Sequence, residues 1–314
     1  MAIDVVINLV LTVAGIVMLC YGGNWLVNGG VAIAKRFHIS NIVIGMTVIA
    51  YGTSTPELAA SIAAAGEHSE IILGNIIGSN IANIGMVIGV TAIMIPLLAK
   101  KTTLKKDVPI MLGFSLLLII LSLDGKISQY DGLLLIVLLM LFTVYMYRTA
   151  RTKSEQENND IEFNTKNSNL RALGLMGVGI ILLYFGAELT VDNAVAIAQT
   201  FGISERIIGL TVIAIGTSLP ELITSIIAIK KDHTDIGIGN IIGSNVYNIL
   251  MIMGVASVLT GIVVSDQTFY DYAIMMGFSV GLLIAMMTGI VTRKIGFAFV
   301  ASYVIYLVSG FLLN

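Results

Sequence analysis

The sequence predicts an all-α integral membrane protein, with ten transmembrane helices in two inverted five-helix repeats. Three observations predict it. Of 314 residues, 57% are hydrophobic and only 11% charged, against roughly a quarter charged in soluble domains. Ten apolar runs approach the length of about 20 residues that carries a helix across a bilayer. Finally, the chain repeats itself. Gly52-Thr53-Ser54-Thr55-Pro56-Glu57 returns as Gly216-Thr217-Ser218-Leu219-Pro220-Glu221, and the Gly-Asn-Ile-Ile-Gly-Ser-Asn run at 74–80 returns at 239–245.

The spans are expected at 3–30, 41–65, 71–98, 107–123, 131–148, 172–198, 205–229, 236–262, 270–291 and 295–313. They divide the chain into a first repeat at 1–147, a cytoplasmic linker at 148–171 and a second repeat at 172–314, together one membrane domain. The linker is rich in Lys, Glu, Asn and Ser and has too little apolar surface to fold alone. The first span follows Asp4 with no basic residue before it, unlike a secretory signal, and is expected to be retained. A lone cysteine, Cys20, excludes an internal disulfide and a cysteine metal cluster. Three histidines make no transition-metal site.

Five spans per copy is an odd number, so two copies in series enter the membrane from opposite faces. Inverted repeats of this kind place a site between the halves, near the bilayer midplane. Charge supports the inversion. With both termini extracellular, only Lys126 and Arg206 of the 17 basic residues fall outside, a strong positive-inside bias. Lys35-Arg36 follows the first span, where the second copy has Gln199-Thr200. Lys230-Lys231 follows the second motif, where the first has Gly66-Glu67.

Each copy buries one glutamate where ionisable groups are expensive and functional by default. Thr53, Ser54 and Glu57 lie within one turn, as do Thr217, Ser218 and Glu221. Residues three and four apart share a helix face. Pro56 and Pro220 lack an N–H, which frees backbone carbonyls nearby. Such carbonyls, including those of Ala50, Thr53, Ala214 and Thr217, are tolerated at membrane depth only inside protein or beside a cavity. Ser79 and Asn83 are four apart, and Ser244 and Asn248 repeat the spacing. The donor set is all oxygen with two carboxylates, which suits Ca²⁺ and Na⁺ better than the small octahedron of Mg²⁺. Shared ligands make the two ions compete. Without metal, two buried carboxylates repel, and protons relieve that repulsion. Transport is therefore expected to fall in acid.

Other readings stay open. The paired glycines 74/78 and 239/243 form small-xxx-small steps that mostly serve close helix packing. Serine and threonine hydroxyls in membrane helices often bond their own backbone. Glu188 and Asp192, with Asn24 and Asn28 as counterparts, are either cation-attracting passage mouths or solvated helix ends. His68 and His233 are expected in hydrated loops, and Trp25 in packing.

These motifs closely resemble those of the cation/Ca²⁺ antiporter superfamily, in its sodium/calcium exchanger branch. The resemblance spans the chain, including the stretch Gly186-Ala187-Glu188-Leu189-Thr190-Val191-Asp192. Cation/proton members typically carry GN-x-x-E where this chain carries Gly52 to Glu57. The resemblance implies a minimal ten-helix antiporter of prokaryotic type in the cell membrane. It would exchange Na⁺ for Ca²⁺ without covalent catalysis or cofactor, among lipids and inorganic cations; since one chain contains both halves of the site, it is expected to function as a monomer. It implies Ca²⁺ ligation by Glu57, Glu221 and the Thr53 and Thr217 carbonyls. It assigns Na⁺ to Ser54, Ser79, Ser218, Ser244 and the carbonyls of Ala50 and Ala214, with Asn83 and Asn248 completing the centre. K⁺-dependent relatives carry aspartate at the position of Asn248, so the amide here leans against K⁺ cotransport. Ca²⁺/H⁺ antiport and, from another class, a Ca²⁺-permeable channel are the alternatives.

Overall fold

The computed structural model describes residues 2–37, 39–66, 69–154, 169–202 and 214–313. In order these form α1 (Ala2–Arg36), α2 (Asn41–Thr53), α3 (Thr55–Ala63), α4 (Ser69–Met94), β1 (Leu97–Leu98), α5 (103–121), β2 (Lys126–Ile127) and α6 (Gln129–Ser154). The second half gives α7 (Asn169–Thr200), α8 (Ala214–Thr217), α9 (Leu219–Lys230), α10 (Thr234–Thr260), β3 (Ile262–Val263), α11 (Thr268–Met287), β4 (Ile290–Val291) and α12 (Arg293–Leu313). Six helices, α1, α4, α6, α7, α10 and α11, are long and apolar enough to cross a membrane unaided. The α2–α3 and α8–α9 pairs, α5 and α12 supply the remaining four spans.

Burial sorts these helices into a centre and a periphery. The apolar stretches of α4 and α10 are 83% and 89% buried, whereas that of α1 is 17% buried. The two helices carrying the Gly-Asn-Ile-Ile-Gly-Ser-Asn run are thus the core of the bundle. Gly239 and Gly243 let α10 cross α2 at backbone distance. A Cβ on Gly243 would fall 2.6 Å from the Met46 Cα and carbonyl oxygen, and one on Gly239 2.7 Å from the Ile42 carbonyl. The packing role expected for this pair holds. The equivalent partners of Gly74 and Gly78 fall at 203–213, outside the described residues.

α1 and α7 pack antiparallel along a line of small residues. Gly15 lies on Gly186, Gly22 on Gly179, and Gly29 on the Ala172 carbonyl and Met176, one contact every seven residues. A Cβ at Gly22 would sit 2.8 Å from the Gly179 carbonyl oxygen. Backbones this close exclude lipid and bind the two long helices into one unit.

Two short antiparallel pairings join the halves. β1 pairs with β4, Leu97 opposite Val291, and β2 pairs with β3, Lys126 opposite Val263. Six spans separate the first two strands and four the second two. Even numbers bring each pair back to one face of the bundle, as inverted five-span repeats require.

The structure departs from the expected boundaries in definite ways. Helix continues through 148–154 and restarts at 169, so both ends of the expected 148–171 linker are helical, and 155–168 lie outside the described residues. α1 runs six residues beyond the expected end at 30, to Arg36. The first motif is not one continuous turn: Ser54 breaks the helix at φ −86°, ψ 10°, and Ser218 does so at φ −89°, ψ 5°. Each proline then sits at the start of the following helix, where its missing N–H costs nothing. π-Helical turns, invisible to apolar periodicity, occupy Gly45–Ile49, Asn83–Ile88, Thr103–Asp107 and Asn248–Met253.

Candidate functional site

The two motif regions meet at the centre of the bundle. Glu57 starts α3 and Glu221 starts α9, each one turn after a broken serine, and side-chain exposures are 1% and 0%. Ser54 of the first repeat donates its hydroxyl to Glu221 Oε1 across the repeat boundary at 3.1 Å. Ser244 donates to the same oxygen at 3.4 Å. Thr53 Oγ1 donates to Asn240 Oδ1 at 3.0 Å, lies 3.4 Å from Ser244 Oγ, and reaches the Ala50 carbonyl at 3.3 Å. The Ala50 carbonyl also accepts the Ser54 N–H at 3.0 Å. Glu57 lies one turn beyond Ser54, which bonds Glu221, so the two glutamates come from elements that meet at this point.

Several buried oxygens of the two motif regions have no hydrogen-bond partner among the described residues. They are Glu57 Oε2, Glu221 Oε2, Asn83 Oδ1, Asn248 Oδ1 and Ser218 Oγ, all buried. A buried polar atom left unpaired costs about 1–3 kcal/mol, and more when charged. Of ten buried oxygens without a partner among the described residues, these five belong to residues of the duplicated motif regions. Four of them accept only, two being carboxylate and two amide oxygens, which is the chemistry of a hard cation's coordination shell. Asn83 and Asn248 each open a π-helical turn, a distortion that often marks functional sites in helices.

Ser79 and Asn83 lie together on buried α4, and Ser244 and Asn248 on buried α10. Thr217 is half-buried at the end of α8. Ala214 is the first residue of α8, in register with Ala50.

Sequence reasoning left four asparagines out of the site. Asn75 donates to the Glu57 carbonyl at 3.1 Å and to Ser61 Oγ at 2.9 Å. Asn240 does the same in the second repeat, to the Glu221 carbonyl at 3.5 Å and Ser225 Oγ at 3.0 Å. These amides bolt each glutamate helix to the neighbouring core helix. Asn80 and Asn245 bond across the repeat boundary to the Asn248 and Asn83 amides. Identity in both copies was the available signal.

The peripheral polar residues are not equivalent. Lys231 Nζ donates to Asn28 Oδ1 at 2.6 Å and to Asn24 Oδ1, tying α1 to the turn after α9. Their counterparts Glu188 and Asp192 are exposed. His233 is half-buried rather than fully hydrated. Burial and the nearby Lys35 and Lys231 push its pKa below the usual histidine value. His68 and Arg206 lie outside the described residues.

The family description "Sodium/calcium exchanger protein" matches residues 7–148 and 171–312, nearly the whole of both repeats. The chain belongs to that family. It is a family of membrane transporters, and no cofactor accompanies the Na⁺ and Ca²⁺ they exchange. Inner membrane protein YrbG of Escherichia coli (strain K12) is 34% identical over 85% of this chain and 84% of its own. Sodium/calcium exchanger MaX1 of Methanosarcina acetivorans is 30% identical over 97% of this chain and 98% of its own. Among solved structures, the sodium-calcium exchanger NCX_Mj soaked with 2.5 mM Na⁺ and 0.1 mM Ca²⁺ superposes with a TM-score of 0.84 at 33% identity, covering 96% of this chain and 98% of that one.

Proposed function

We propose that this protein is a Na⁺/Ca²⁺ antiporter that exports Ca²⁺ against inward Na⁺ flow by alternating access to the central site. The observation that carries the reading is the buried cluster of unpartnered acceptor oxygens contributed by both repeats, Glu57 and Glu221 above all. Two carboxylates offer two negative charges, which one Ca²⁺ or two Na⁺ neutralise. In this reading Ca²⁺ takes Glu57, Glu221 and the Thr53 and Thr217 carbonyls. Na⁺ takes Ser54, Ser79, Ser218, Ser244 and the Ala50 and Ala214 carbonyls, and Asn83 and Asn248 complete the centre. Hydroxyls that hydrogen-bond a carboxylate in one state can turn to a metal ion in another at little cost, and Ser54 and Ser244 are placed for that change.

The glycine-packed α1–α7 unit is the moving part, sliding on a core of α2–α3, α4, α8–α9 and α10. Two inverted halves can exchange conformations, which opens the site to one face at a time. Both termini are extracellular and 148–171 is cytoplasmic. The pairing of β1 with β4 and of β2 with β3 supports that span parity. One chain holds both halves of the site, so the monomer is the working unit. No bond is made or broken, so the protein is not an enzyme.

The test is Ca²⁺ uptake into proteoliposomes under an imposed Na⁺ gradient, compared with an imposed pH gradient. Uptake that follows Na⁺ and stops when Na⁺ is equal on both sides is the expected result. Uptake driven by protons alone would replace this reading with Ca²⁺/H⁺ antiport. Current without a counter-ion would indicate a channel.

A further inference from the structure

Four asparagines at the repeat boundary form a reciprocal clasp. Asn83 Nδ2 donates to Asn245 Oδ1 at 2.9 Å, and Asn248 Nδ2 donates to Asn80 Oδ1 at 3.0 Å. Asn80 Nδ2 donates to the Asn245 backbone carbonyl at 3.3 Å, and Asn245 Nδ2 donates to the Asn80 carbonyl at 3.4 Å. The same two NH₂ groups face thioethers, Asn80 toward Met275 Sδ at 3.8 Å and Asn245 toward Met111 Sδ at 3.5 Å. All four amides are buried.

The polarity of this network follows from which atoms cannot donate. A primary amide presents either its oxygen or its NH₂ in a given direction, and the two ends are nearly the same shape. A backbone carbonyl and a thioether sulfur both only accept. Asn245 therefore has to turn its NH₂ toward the Asn80 carbonyl and Met111, which aims its oxygen at Asn83. Asn83 can meet that oxygen only with its own NH₂. Its Oδ1 is thereby directed away from the clasp, where it has no partner among the described residues. The same reasoning, started from the Asn245 carbonyl and Met275, fixes Asn80 and then Asn248, whose Oδ1 is also unpartnered. Asn248 lies one turn beyond Ser244, which touches Glu221, and Asn83 holds the same place after Ser79 in the first repeat. That placement associates the freed oxygens with the carboxylates.

We propose that Asn80 and Asn245 are positioning residues. They determine that Asn83 and Asn248 offer oxygen, and not N–H, to the transported cation. The inference rests on the central cluster being a cation site. Without the clasp, either amide can rotate its NH₂ toward the ion and bring a partial positive charge against it. Outer-shell partners that orient a metal ligand are typically worth about 10–100-fold in affinity.

The test is a double-mutant cycle read by the KM for Ca²⁺ in Na⁺-driven uptake and, independently, by calorimetric Ca²⁺ binding to the purified full-length protein. Asn245→Ala is expected to raise KM about tenfold. Asn83→Ala is expected to do the same, and the double variant to be no worse than Asn83→Ala, because Asn245 acts only through Asn83. Multiplying effects, or an unchanged KM in Asn245→Ala, would overturn the proposal. Asn245→Asp keeps an oxygen for Asn83 Nδ2 and is expected to stay closer to wild type than Asn245→Ala. A purely structural role predicts the reverse order, since aspartate buries a charge. If Asn245→Ala does not fold, the Asn80/Asn248 pair gives the same cycle. Failure of wild-type exchange would sink the antiport reading alone, because the binding cycle still decides the clasp.

Discussion

The two copies of the motif are nearly identical in sequence, yet they are not in the same state. Glu221 Oε1 accepts the Ser54 and Ser244 hydroxyls, whereas Ser218, the counterpart of Ser54, has an unpartnered hydroxyl among the described residues. Thr53 is fully buried, while Thr217 is half-buried. The flanks differ too. α1 lies against α9, with a Cβ on Gly23 only 3.1 Å from Thr224 Oγ1, and Lys231 holds Asn24 and Asn28 across the seam. At the corresponding end of α7 Glu188 and Asp192 are exposed. Alternating access, as proposed above, calls for a second conformation in which the halves trade these roles. In the proposed cycle that trade is the transport step, with the seam bridged by Lys231 as the closed mouth.

The largest test of the comparison removes one carboxylate from each side. Glu57→Gln and Glu221→Gln should each lose Ca²⁺ transport about a hundredfold or more, since stripping one charge from a buried ionic cluster costs about 3 kcal/mol or more. Equal losses, measured as initial uptake rates, would place both halves at one ion. A loss confined to one variant would separate them. Next comes the helix crossing at Gly243. Gly243→Ala puts a methyl against immovable backbone of α2 and should destabilise the protein by about 1–3 kcal/mol, visible as a lower melting temperature in detergent.

The serines give a smaller effect of opposite sign. Ser54→Ala removes a donor from Glu221 and should lower the melting temperature of the ion-free protein. Ser218→Ala removes an orphaned buried hydroxyl and should leave it unchanged or raise it, by about 1 kcal/mol. Both should weaken activation by Na⁺. Equal destabilisation by the two variants would show that the halves are alike. The smallest effect is expected at Lys231, a partly exposed group. Lys231→Ala breaks the bonds to Asn24 and Asn28, worth about 1 kcal/mol in total. It should shift accessibility of cysteines placed on the inner halves of α1 and α9 upward by a few fold.

Much of this was legible in the chain. Composition and span count led to the ten-helix bundle, and the odd number of spans per copy to the inversion. The duplicated Glu57 and Glu221 pointed to the candidate site because carboxylates are expensive at that depth, and the structure buries both. The prolines announced the breaks at Ser54 and Ser218. What escaped was geometry that periodicity does not encode. The π turns at Asn83 and Asn248 leave the apolar pattern intact, so no hydrophobic reading finds them. Asn75, Asn80, Asn240 and Asn245 are polar residues whose roles depend on which neighbour accepts and which donates, and that is set by cross-repeat contacts far apart in sequence. The difference between the halves is also absent from the duplicated motifs: the seam residues that differ, Lys231 against Glu67 and Asn24 and Asn28 against Glu188 and Asp192, lie outside them.

The central claim is that one metal ion sits between two carboxylates delivered from opposite sides of the bilayer. Anomalous diffraction from crystals soaked in Ca²⁺ or Sr²⁺ tests it most directly. The account predicts a single strong peak within oxygen-ligand distance, about 2.3–2.6 Å for Ca²⁺, of carboxylate oxygens from both Glu57 and Glu221, lost in either glutamine variant. A peak held by only one glutamate, or one lying at the exposed Glu188 and Asp192 with none at the centre, would contradict it.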